Sequence, residues 1–226
     1  MKRLFYILLL LAPLSMVRAQ AHLNTEEFYV GAQGGGVASM VWFAPDVPQS
    51  ALRPLLTWNA GAVFRYVGNR FVGLQVEVNY LQRGWQEIER EEQDDGTEKI
   101  FPTYSRRLDY IQIPFLTHIY FGNQYRGFFN IGPHIGYCLS DRHLTTPPST
   151  GHQYAPIDNR FDWGVAASLG FYAITIAGVW QAEARFNFSL GTDFSSRAGG
   201  YFSNSNNMNL SLNIAYLWQI KAKRKR

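Results

Sequence analysis

The sequence predicts an all-β protein, an eight-stranded antiparallel up-and-down β-barrel that crosses a membrane with its strands. Three observations predict this fold. Most of the chain alternates with a period of two between apolar and polar or small residues, as β-strands do. Along the chain, short connections between these segments alternate with long ones, which is typical of barrels that cross a bilayer. The apolar face of the alternation carries almost no charge.

Eight alternating segments run through the chain. In the last of them Met208, Leu210 and Leu212 share one face, whereas Asn207 and Asn209 lie on the other. Each segment can supply the roughly 9–11 residues that a tilted strand needs to cross a bilayer. The first segment, FYVGAQGGGVA, is rich in glycine and defines its strand least clearly. The strands are predicted at residues 28–41, 56–67, 70–86, 107–121, 126–140, 161–173, 178–190 and 206–219.

The distribution of charge distinguishes a membrane barrel from a soluble one. A soluble barrel turns its polar face to water, and its exterior is rich in Lys and Glu. Here the charged residues fall on the less apolar face together with many Gly, Asn and Gln, which fits a narrow interior. Aromatic residues such as Trp58, Tyr66, Tyr216 and Trp218 gather near strand ends, as they do at bilayer interfaces. In a bilayer such a sheet must close, because an open edge would leave backbone groups unpaired.

The 20 uncharged residues 163–182 are long enough to form a single transmembrane helix. The segments on both sides of this stretch continue in strict two-residue alternation, which a helix does not explain. Residues 174–178 can instead form a short turn. The pattern therefore favours two strands over the helix.

The lengths of the connections predict the orientation of the barrel. Strands 2 and 3, 4 and 5, and 6 and 7 are joined by short links, as expected for periplasmic turns. This alternation places both termini in the periplasm. The outer loops are predicted at residues 43–55, 87–106, 141–160 and 191–205.

The positive net charge of +4 comes from the two ends of the chain. Eight of the 21 Lys and Arg residues lie in the first 18 and the last six positions, and none of the 17 acidic residues does. The body between them is therefore net negative, and the main argument for a nucleic-acid partner is lost. The last six residues are expected to form a solvated tail, with binding to anionic phosphates or to a periplasmic protein as the alternative.

The N-terminus resembles a secretory signal peptide. Residues 1–19 combine a basic start with an apolar stretch at 4–17, and cleavage is expected between Ala19 and Gln20. An uncleaved anchor is the alternative. The predicted domains are the signal peptide at 1–19, the outer-membrane β-barrel at 20–220 and a basic periplasmic tail at 221–226.

Two prolines fall inside predicted strands. Pro114 and Pro133 each lack the N–H group that a central strand donates to its neighbour. We therefore expect a bulge or a locally missing hydrogen bond at each proline.

Three runs of the sequence resemble a known family. GLQVEVNYLQRGWQE, LDYIQIPFLTHIYFG and RGFFNIGPHIGYCLS, with the motifs Tyr110-Ile-Gln-Ile-Pro114 and Gly132-Pro-His-Ile-Gly-Tyr137, are similar to PorT-like, porin-family outer-membrane proteins. The resemblance implies an eight-stranded Gram-negative outer-membrane barrel similar to the small OmpA-like and OmpX-like proteins. One class of the family is linked to type IX protein secretion, but no functional residue maps onto this chain. The chain departs from the family at its end, where Trp218 is followed by QIKAKRKR.

The polar face supplies the candidate site. Charges inside a narrow barrel must pair, because an isolated buried charge is strongly unfavourable. We therefore expect a structural polar network that fills the lumen, and a narrow gated conduit is the alternative. The network is predicted to contain Arg65, Gln75, Glu77, His118, His134, Asp162, Glu183 and Arg185.

Catalysis in the lumen would require a nucleophile or an activated water held by a histidine and a carboxylate. His118 and His134 are predicted to face inward on neighbouring strands, so that they could share one environment. No serine is placed beside either histidine by spacing, and the chain is therefore expected not to be an enzyme. The single cysteine, Cys138, excludes an internal disulfide and a zinc site built from several cysteines, and it is expected to be inert.

Seven acidic residues lie in the run QEIEREEQDDGTEK at 86–99, within the longest predicted outer loop. Carboxylates can bind Ca²⁺, but the spacing does not match an EF-hand. We expect a solvated loop that turns at Asp94-Asp95-Gly96, with no metal and no cofactor.

These observations predict a monomeric, non-enzymatic outer-membrane protein with a structural or interaction role at the cell surface. Its expected partners are the lipid bilayer, lipopolysaccharide and other envelope proteins, with no nucleic acid. The alternatives are a docking component of a type IX-like secretion machine, a narrow transporter and a lipid hydrolase.

Overall fold

The computed structural model describes residues 25–44, 52–68, 71–92, 98–145, 156–157, 159–192, 194 and 204–224. Eight antiparallel strands form a closed ring in which every strand pairs with its sequence neighbours and β8 pairs with β1. No helix among the described residues is long and apolar enough to cross a membrane. The strands are β1 (Thr25–Ala44), β2 (Leu52–Val67), β3 (Val72–Glu92), β4 (Glu98–Gly122), β5 (Tyr125–His143), β6 (Phe161–Ile174), β7 (Val179–Ser189) and β8 (Asn204–Arg224).

The ring has two different ends. The strand ends that are joined by the short links, those of β2 and β3, β4 and β5, and β6 and β7, lie at one end of the ring with the start of β1 and the end of β8. We call this the short-turn end. At Gly122 the backbone has φ of 109°, a region that favours glycine, and β4 turns there into β5. The opposite end, with the long connections, we call the long-connection end. The segments 45–51, 146–155 and 195–203, which belong to predicted loops there, lie outside the described residues, as do the signal peptide and its cleavage site.

The register of the strands defines the tilt of the barrel. One row of paired residues leaves β1 at Phe28 and returns to β1 at Ala38 after one turn of the ring, which is ten residues further along the strand. An eight-stranded barrel with this stagger has strongly tilted strands and an interior that side chains fill. The row runs Phe28, Tyr66, Leu74, Thr117, Ile131, Ala167, Phe186, Leu210 and Ala38.

The two faces of the sheet confirm the predicted alternation. Apolar residues on the outer face remain exposed, whereas their polar neighbours in the sequence are buried in the lumen. Exposed aromatic residues lie near both ends of the outer face. On β6, for example, Trp163 and Phe171 are separated by eight residues, which is about 26 Å of strand. Exposed aromatic residues on both sides of an apolar stretch are typical of the girdles of outer-membrane barrels.

The pairing is interrupted beside Pro114. Between β3 and β4 the paired residues stop at Val76–Phe115 and resume at Asn79–Gln112, in the same register. The prolines therefore cause a local loss of pairing, as expected from the missing N–H group, and not a bulge. Pro133 pairs regularly with Val165 of β6. On its other side the pairs between β4 and β5 stop at Pro114–His134 and resume at Thr117–Ile131, in the same register.

Two predicted boundaries are wrong. Most of the predicted loop 87–106 belongs to a β-hairpin, because β3 and β4 stay paired as far as Glu92 and Glu98. Charged and polar residues lie on both faces of this hairpin among its few apolar ones, so no regular apolar alternation marks it. The predicted tail begins inside β8, because Lys221–Arg224 pair with the start of β1.

Candidate functional site in the barrel lumen

The predicted network residues all point into the lumen. Each of the eight is at most 4% exposed. Six of them, together with neighbouring amide side chains, form one hydrogen-bonded central network. The other two, His134 and Asp162, belong to a separate cluster nearer the long-connection end.

Arg185 on β7 is the centre of the network. Its two terminal nitrogens contact both carboxylate oxygens of Glu77 on β3, at 2.5 and 2.6 Å. Nη2 also lies 2.6 Å from Oε1 of Glu183. A bidentate arginine–carboxylate pair is among the strongest hydrogen-bonded arrangements in proteins. One guanidinium therefore joins two carboxylates from opposite parts of the ring.

Arg65 on β2 supplies the second positive charge. Its Nε donates to Oε1 of Gln75 at 2.7 Å, and its Nη2 donates to the side-chain oxygen of Gln181. The guanidinium carbon lies 5.0 Å from the ring centre of Tyr172, within cation–π range. The two arginines balance the charges of Glu77 and Glu183, so that the buried network is neutral as a whole.

A polar chain connects His118 to the network. Nδ1 of His118 lies 2.6 Å from the side-chain oxygen of Asn130, whose amide nitrogen donates to Ser168 at 3.0 Å. The hydroxyl of Ser168 in turn donates to Glu183 at 3.3 Å. The ring of His118 also stacks on Tyr120, with 5.6 Å between ring centres. His118 is thus held on one side by hydrogen bonds and on the other by aromatic packing.

The second cluster is built around Asp162 on β6. Its Oδ2 accepts from Ser189 at 3.0 Å and lies 2.7 Å from Nη2 of Arg83. Nε2 of His134 lies 3.6 Å from the same oxygen. In a Ser–His–Asp catalytic triad the histidine lies between the hydroxyl and the carboxylate. Here the carboxylate lies between the other two groups, so the order of the three groups is not that of a catalytic triad.

His118 and His134 do not share an environment. In the β4–β5 register His134 is opposite Pro114, whereas His118 is opposite Asn130. Four residues along the strand separate the two histidines, which is about 13 Å. The predicted proximity was wrong because side chains on neighbouring strands meet only when their register matches.

An aromatic cluster, which we call the lower plug, fills the lumen at the short-turn end. Arg126 forms an ion pair of 2.9 Å with Glu27 beneath this plug, and Tyr29 donates to the same carboxylate at 2.8 Å. The buried apolar residues of the lower plug are Tyr29, Val63, Val67, Tyr120, Phe128, Tyr172, Val179, Ala215 and Leu217.

A second cluster, the upper plug, fills the lumen at the long-connection end. The rings of Trp85 and Phe43 meet edge to face at 5.4 Å, and Arg106 pairs with Asp141 beside them. Glu87, predicted in a solvated loop, is buried and accepts a hydrogen bond from the indole of Trp85 at 3.3 Å. The buried residues of the upper plug are Val41, Phe43, Trp85, Tyr104, Leu108, Tyr110, Cys138 and Phe194.

A small cavity remains between the central network and the Asp162 cluster. Its volume is about 10 Å³, and Gln33, Asn59, Gln112 and Asn187 are among the residues that line it. A space of this size is comparable to one water molecule. The cavity therefore does not form a passage between the two plugs.

Several lumen residues were not singled out from the sequence. Arg83, Arg126 and Glu27 carry three of the buried charges, and Gln33 donates to both Glu77 and Asn79. Arg83 could have been found by parity, because it follows Glu77 and Asn79 at even spacing on β3. Arg126 and Glu27 lie at strand ends, where the alternation is least clear.

The described residues contain no group of three or more His, Cys, Asp or Glu that could hold a metal ion. The expected turn at Asp94-Asp95-Gly96 lies outside them, and so do the side chains of residues 89–103. The calcium alternative for the acidic run thus stays a prediction.

A model of the family described as "Outer membrane protein beta-barrel domain" matches residues 18–195. The chain belongs to this family of outer-membrane β-barrels. The membership agrees with the closed ring and its apolar band, and it places this outer-membrane barrel in contact with the lipid bilayer. No curated protein matches the chain.

Solved structures of other outer-membrane barrels are similar to this one. Ail of Yersinia pestis is 11% identical, covering 85% of this chain and 99% of its own, with a TM-score of 0.42. OprG of Pseudomonas aeruginosa is 9% identical, and the match covers 86% of this chain and 96% of OprG, with a TM-score of 0.48. Neisserial surface protein A is 12% identical, and the match covers 84% of this chain and 96% of that protein, with a TM-score of 0.46.

Proposed function

We propose that this outer-membrane barrel is a non-enzymatic, monomeric protein that acts at the cell surface through its long-connection end. In this proposal an N-terminal signal peptide directs export, both termini face the periplasm, and lipopolysaccharide surrounds the outer half of the barrel. The observation that carries the proposal is the filled lumen. Two plugs with an ion-paired network between them leave the outer surface as the part of the described molecule that can meet a partner.

The β3–β4 hairpin supports a role in interaction. The pairing of β2 with β3 extends to Leu52–Glu87, and that of β5 with β4 extends to Arg106–His143. β3 and β4 continue together for several more residues, to Glu92–Glu98. Within the described residues this part of the hairpin is a two-stranded ribbon that rises above its neighbours. A ribbon of this kind exposes unpaired backbone groups along two edges, which can bind a partner.

The orientation can be tested with an epitope inserted at residues 93–97 or added after Arg226. Antibody binding to intact cells is expected for the first epitope and not for the second, and permeabilised cells should bind for both. The reverse labelling pattern would overturn the surface role of the hairpin. Heat-dependent gel mobility of each tagged chain shows whether its barrel has folded.

The interaction role can be tested with a shortened hairpin in which a two-residue turn replaces residues 89–101. Cross-linking on intact cells should give a specific partner with the full hairpin and lose it with the shortened one, at equal amounts of folded barrel. If the shortened hairpin changes neither cross-linking nor binding to the cell surface, the interaction role is wrong.

The narrower assignments remain predictions. Membership of the PorT-like proteins and a docking role in a type IX-like secretion machine would be supported if subunits of such a machine co-purify in fixed ratio. The filled lumen argues against a narrow transporter, and the position of Asp162 between Ser189 and His134 argues against a hydrolase that uses this cluster.

A further inference from the structure

We propose that the outer face of β4 and β5 carries a site for a lipid phosphate, formed by Arg107 and Arg142. This inference rests on the proposed function, because it places the site at the headgroups of the outer leaflet. It deepens that function by assigning particular residues to the contact with a phosphorylated lipid.

The two arginines are direct cross-strand neighbours. Arg107 of β4 is paired in register with Arg142 of β5. Like charges directly opposite each other on a sheet repel and lower its stability. An arrangement of this kind therefore favours an anion that can lie between the two guanidinium groups.

The protein supplies only part of the required negative charge. Asp109 lies 3.1 Å from Nε of Arg107 and 3.9 Å from Nε of Arg142, so one carboxylate serves two guanidinium groups. Nε of Arg107 and Oδ1 of Asp109 have no hydrogen-bond partner within the described structure, so their contact is an ion pair of poor geometry. Nε of Arg142 donates to Ser140 at 3.2 Å. The site keeps a net positive charge of one.

The guanidinium groups are accessible from outside the barrel. The side chain of Arg142 is 60% exposed and that of Arg107 is 25% exposed, whereas Asp109 is only 5% exposed. The positive groups thus face the solvent and the carboxylate lies behind them. A phosphate could receive parallel hydrogen bonds from the planar guanidinium groups, a geometry for which arginine is well suited.

The height of the site on the barrel selects a lipid as the source of the phosphate. Tyr80, Ile111 and Tyr137 form one row on the outer face, at the edge of the apolar band. Arg107 precedes Ile111 by four residues on β4, so it lies about 13 Å along the tilted strand toward the long-connection end. Aromatic residues of such a girdle lie on the inner side of the headgroup region. The arginines lie farther from the apolar band than these residues, on the outer side of the headgroup region, where lipid phosphates meet water.

The test measures binding of three probes to the full chain in a non-ionic detergent. The probes are diphosphoryl lipid A, the same lipid A after removal of its phosphates, and inorganic phosphate. The folded protein is expected to bind diphosphoryl lipid A at least tenfold more tightly than the dephosphorylated form. Equal binding of the two lipids would overturn the proposal. Competition by millimolar inorganic phosphate would also overturn it, because the site would then accept a free anion.

Four variants localise the binding. R107Q together with R142Q is expected to reduce the preference for the phosphorylated lipid to less than twofold, and R142Q alone to weaken binding about fivefold. D109N should strengthen binding, because it removes the competing carboxylate. The matched control is R160Q, since Arg160 is exposed at the same end beside the backbone of Cys138.

A loss of affinity in R160Q as large as that in R142Q would show a general effect of charge and overturn the site. Unchanged binding in the double variant would do the same. Heat-dependent gel mobility identifies any variant that fails to fold, and D109N and R142Q then still test the proposal. Detergent micelles have no inner or outer side, so a negative result here leaves the proposed orientation and surface role untouched.

Discussion

Glu77 and Arg185 form a bidentate ion pair across the lumen, with contacts of 2.5 and 2.6 Å between side chains on β3 and β7. The two strands lie on opposite sides of the eight-stranded ring. This pair therefore fixes the distance between opposite walls, in addition to neutralising two buried charges. Arg185 also contacts Glu183, so the three side chains form a triad. Glu77 receives two contacts from the guanidinium group, whereas Glu183 receives one.

Removal of Arg185 is predicted to destabilise the barrel more than removal of the Glu77 charge. R185M leaves two buried carboxylates without their guanidinium, whereas E77Q keeps the contact of Arg185 with Glu183. Breaking a buried pair from one side costs about 3–5 kcal/mol, and we expect R185M in this range and E77Q at about half of it. The measurement is the free energy of unfolding in urea, with the barrel in phospholipid vesicles.

A conservative change on the lipid-facing side is the control for these variants. I131L alters an exposed residue of β5 without changing its polarity, and we expect it to change the free energy of unfolding by less than about 1.5 kcal/mol. If E77Q destabilises as much as R185M, the role assigned to Glu183 is wrong.

Two adjacent glycines of β1 are predicted to respond in opposite ways to alanine. A Cβ atom on Gly35 would lie 2.0 Å from the carbonyl oxygen of Leu212 on β8, whereas a Cβ on Gly36 would meet nothing within 4 Å. G35A should therefore force the strands apart and cost about 1–3 kcal/mol. G36A should be neutral or stabilise by up to about 1 kcal/mol, because alanine reduces the freedom of the unfolded chain.

The two alanine variants differ only in the face of the strand they occupy, so each is the control of the other. Their free energies of unfolding can be compared in the same vesicles. Equal destabilisation would mean that the register of β1 against β8 is not the one described. The comparison also tests the strand that the sequence defined least clearly.

The period of two was enough to predict the strands and their faces. It separated Val78 from Glu77 correctly, because one side of each strand faces lipid and the other faces a narrow interior. It failed beyond the apolar band, where polar and charged residues occur on both faces. Glu87 was for this reason expected in solvent, although it lies in β3 and is buried beside Trp85.

The partners of the lumen residues could not be predicted from alternation. Glu77 and Arg185 are 108 residues apart in the sequence, and their contact depends on the stagger of all the strands between them. The aromatic plugs were missed for a related reason. Tyr172 and Trp85 were not singled out from the sequence, and their positions on the strands turn them inward, where they fill space near the ends of the lumen.

His118 and His134 are predicted to contribute independently to stability. Their clusters are separated in register, and they share no hydrogen-bond partner among the described contacts. In a double-mutant cycle with H118A and H134A, we expect a coupling energy below about 0.5 kcal/mol. The cycle of E77Q and R185M is the positive control and should give a larger coupling. A coupling above about 1 kcal/mol between the histidines would show that the two clusters act together.

The intact barrel is predicted not to conduct ions. An ion would have to pass the upper plug, a buried network of paired charges and the lower plug, and in the described part of the chain each of them is built of buried, packed side chains. The measurement is the current through planar bilayers that contain the purified barrel, with a sixteen-stranded porin inserted in the same way as the positive control.

Substitution of one plug at a time tests whether the barriers act in series. W85A enlarges only the upper part of the lumen and Y172A only the lower part, so we expect neither variant to give discrete conductance steps. Both are expected to unfold more easily, because loss of a buried aromatic side chain costs about 3–5 kcal/mol. Steps in the wild-type current would contradict the filled lumen. Steps in W85A alone would mean that the central network and the lower plug open without assistance, and the upper plug would then be the gate of a conduit.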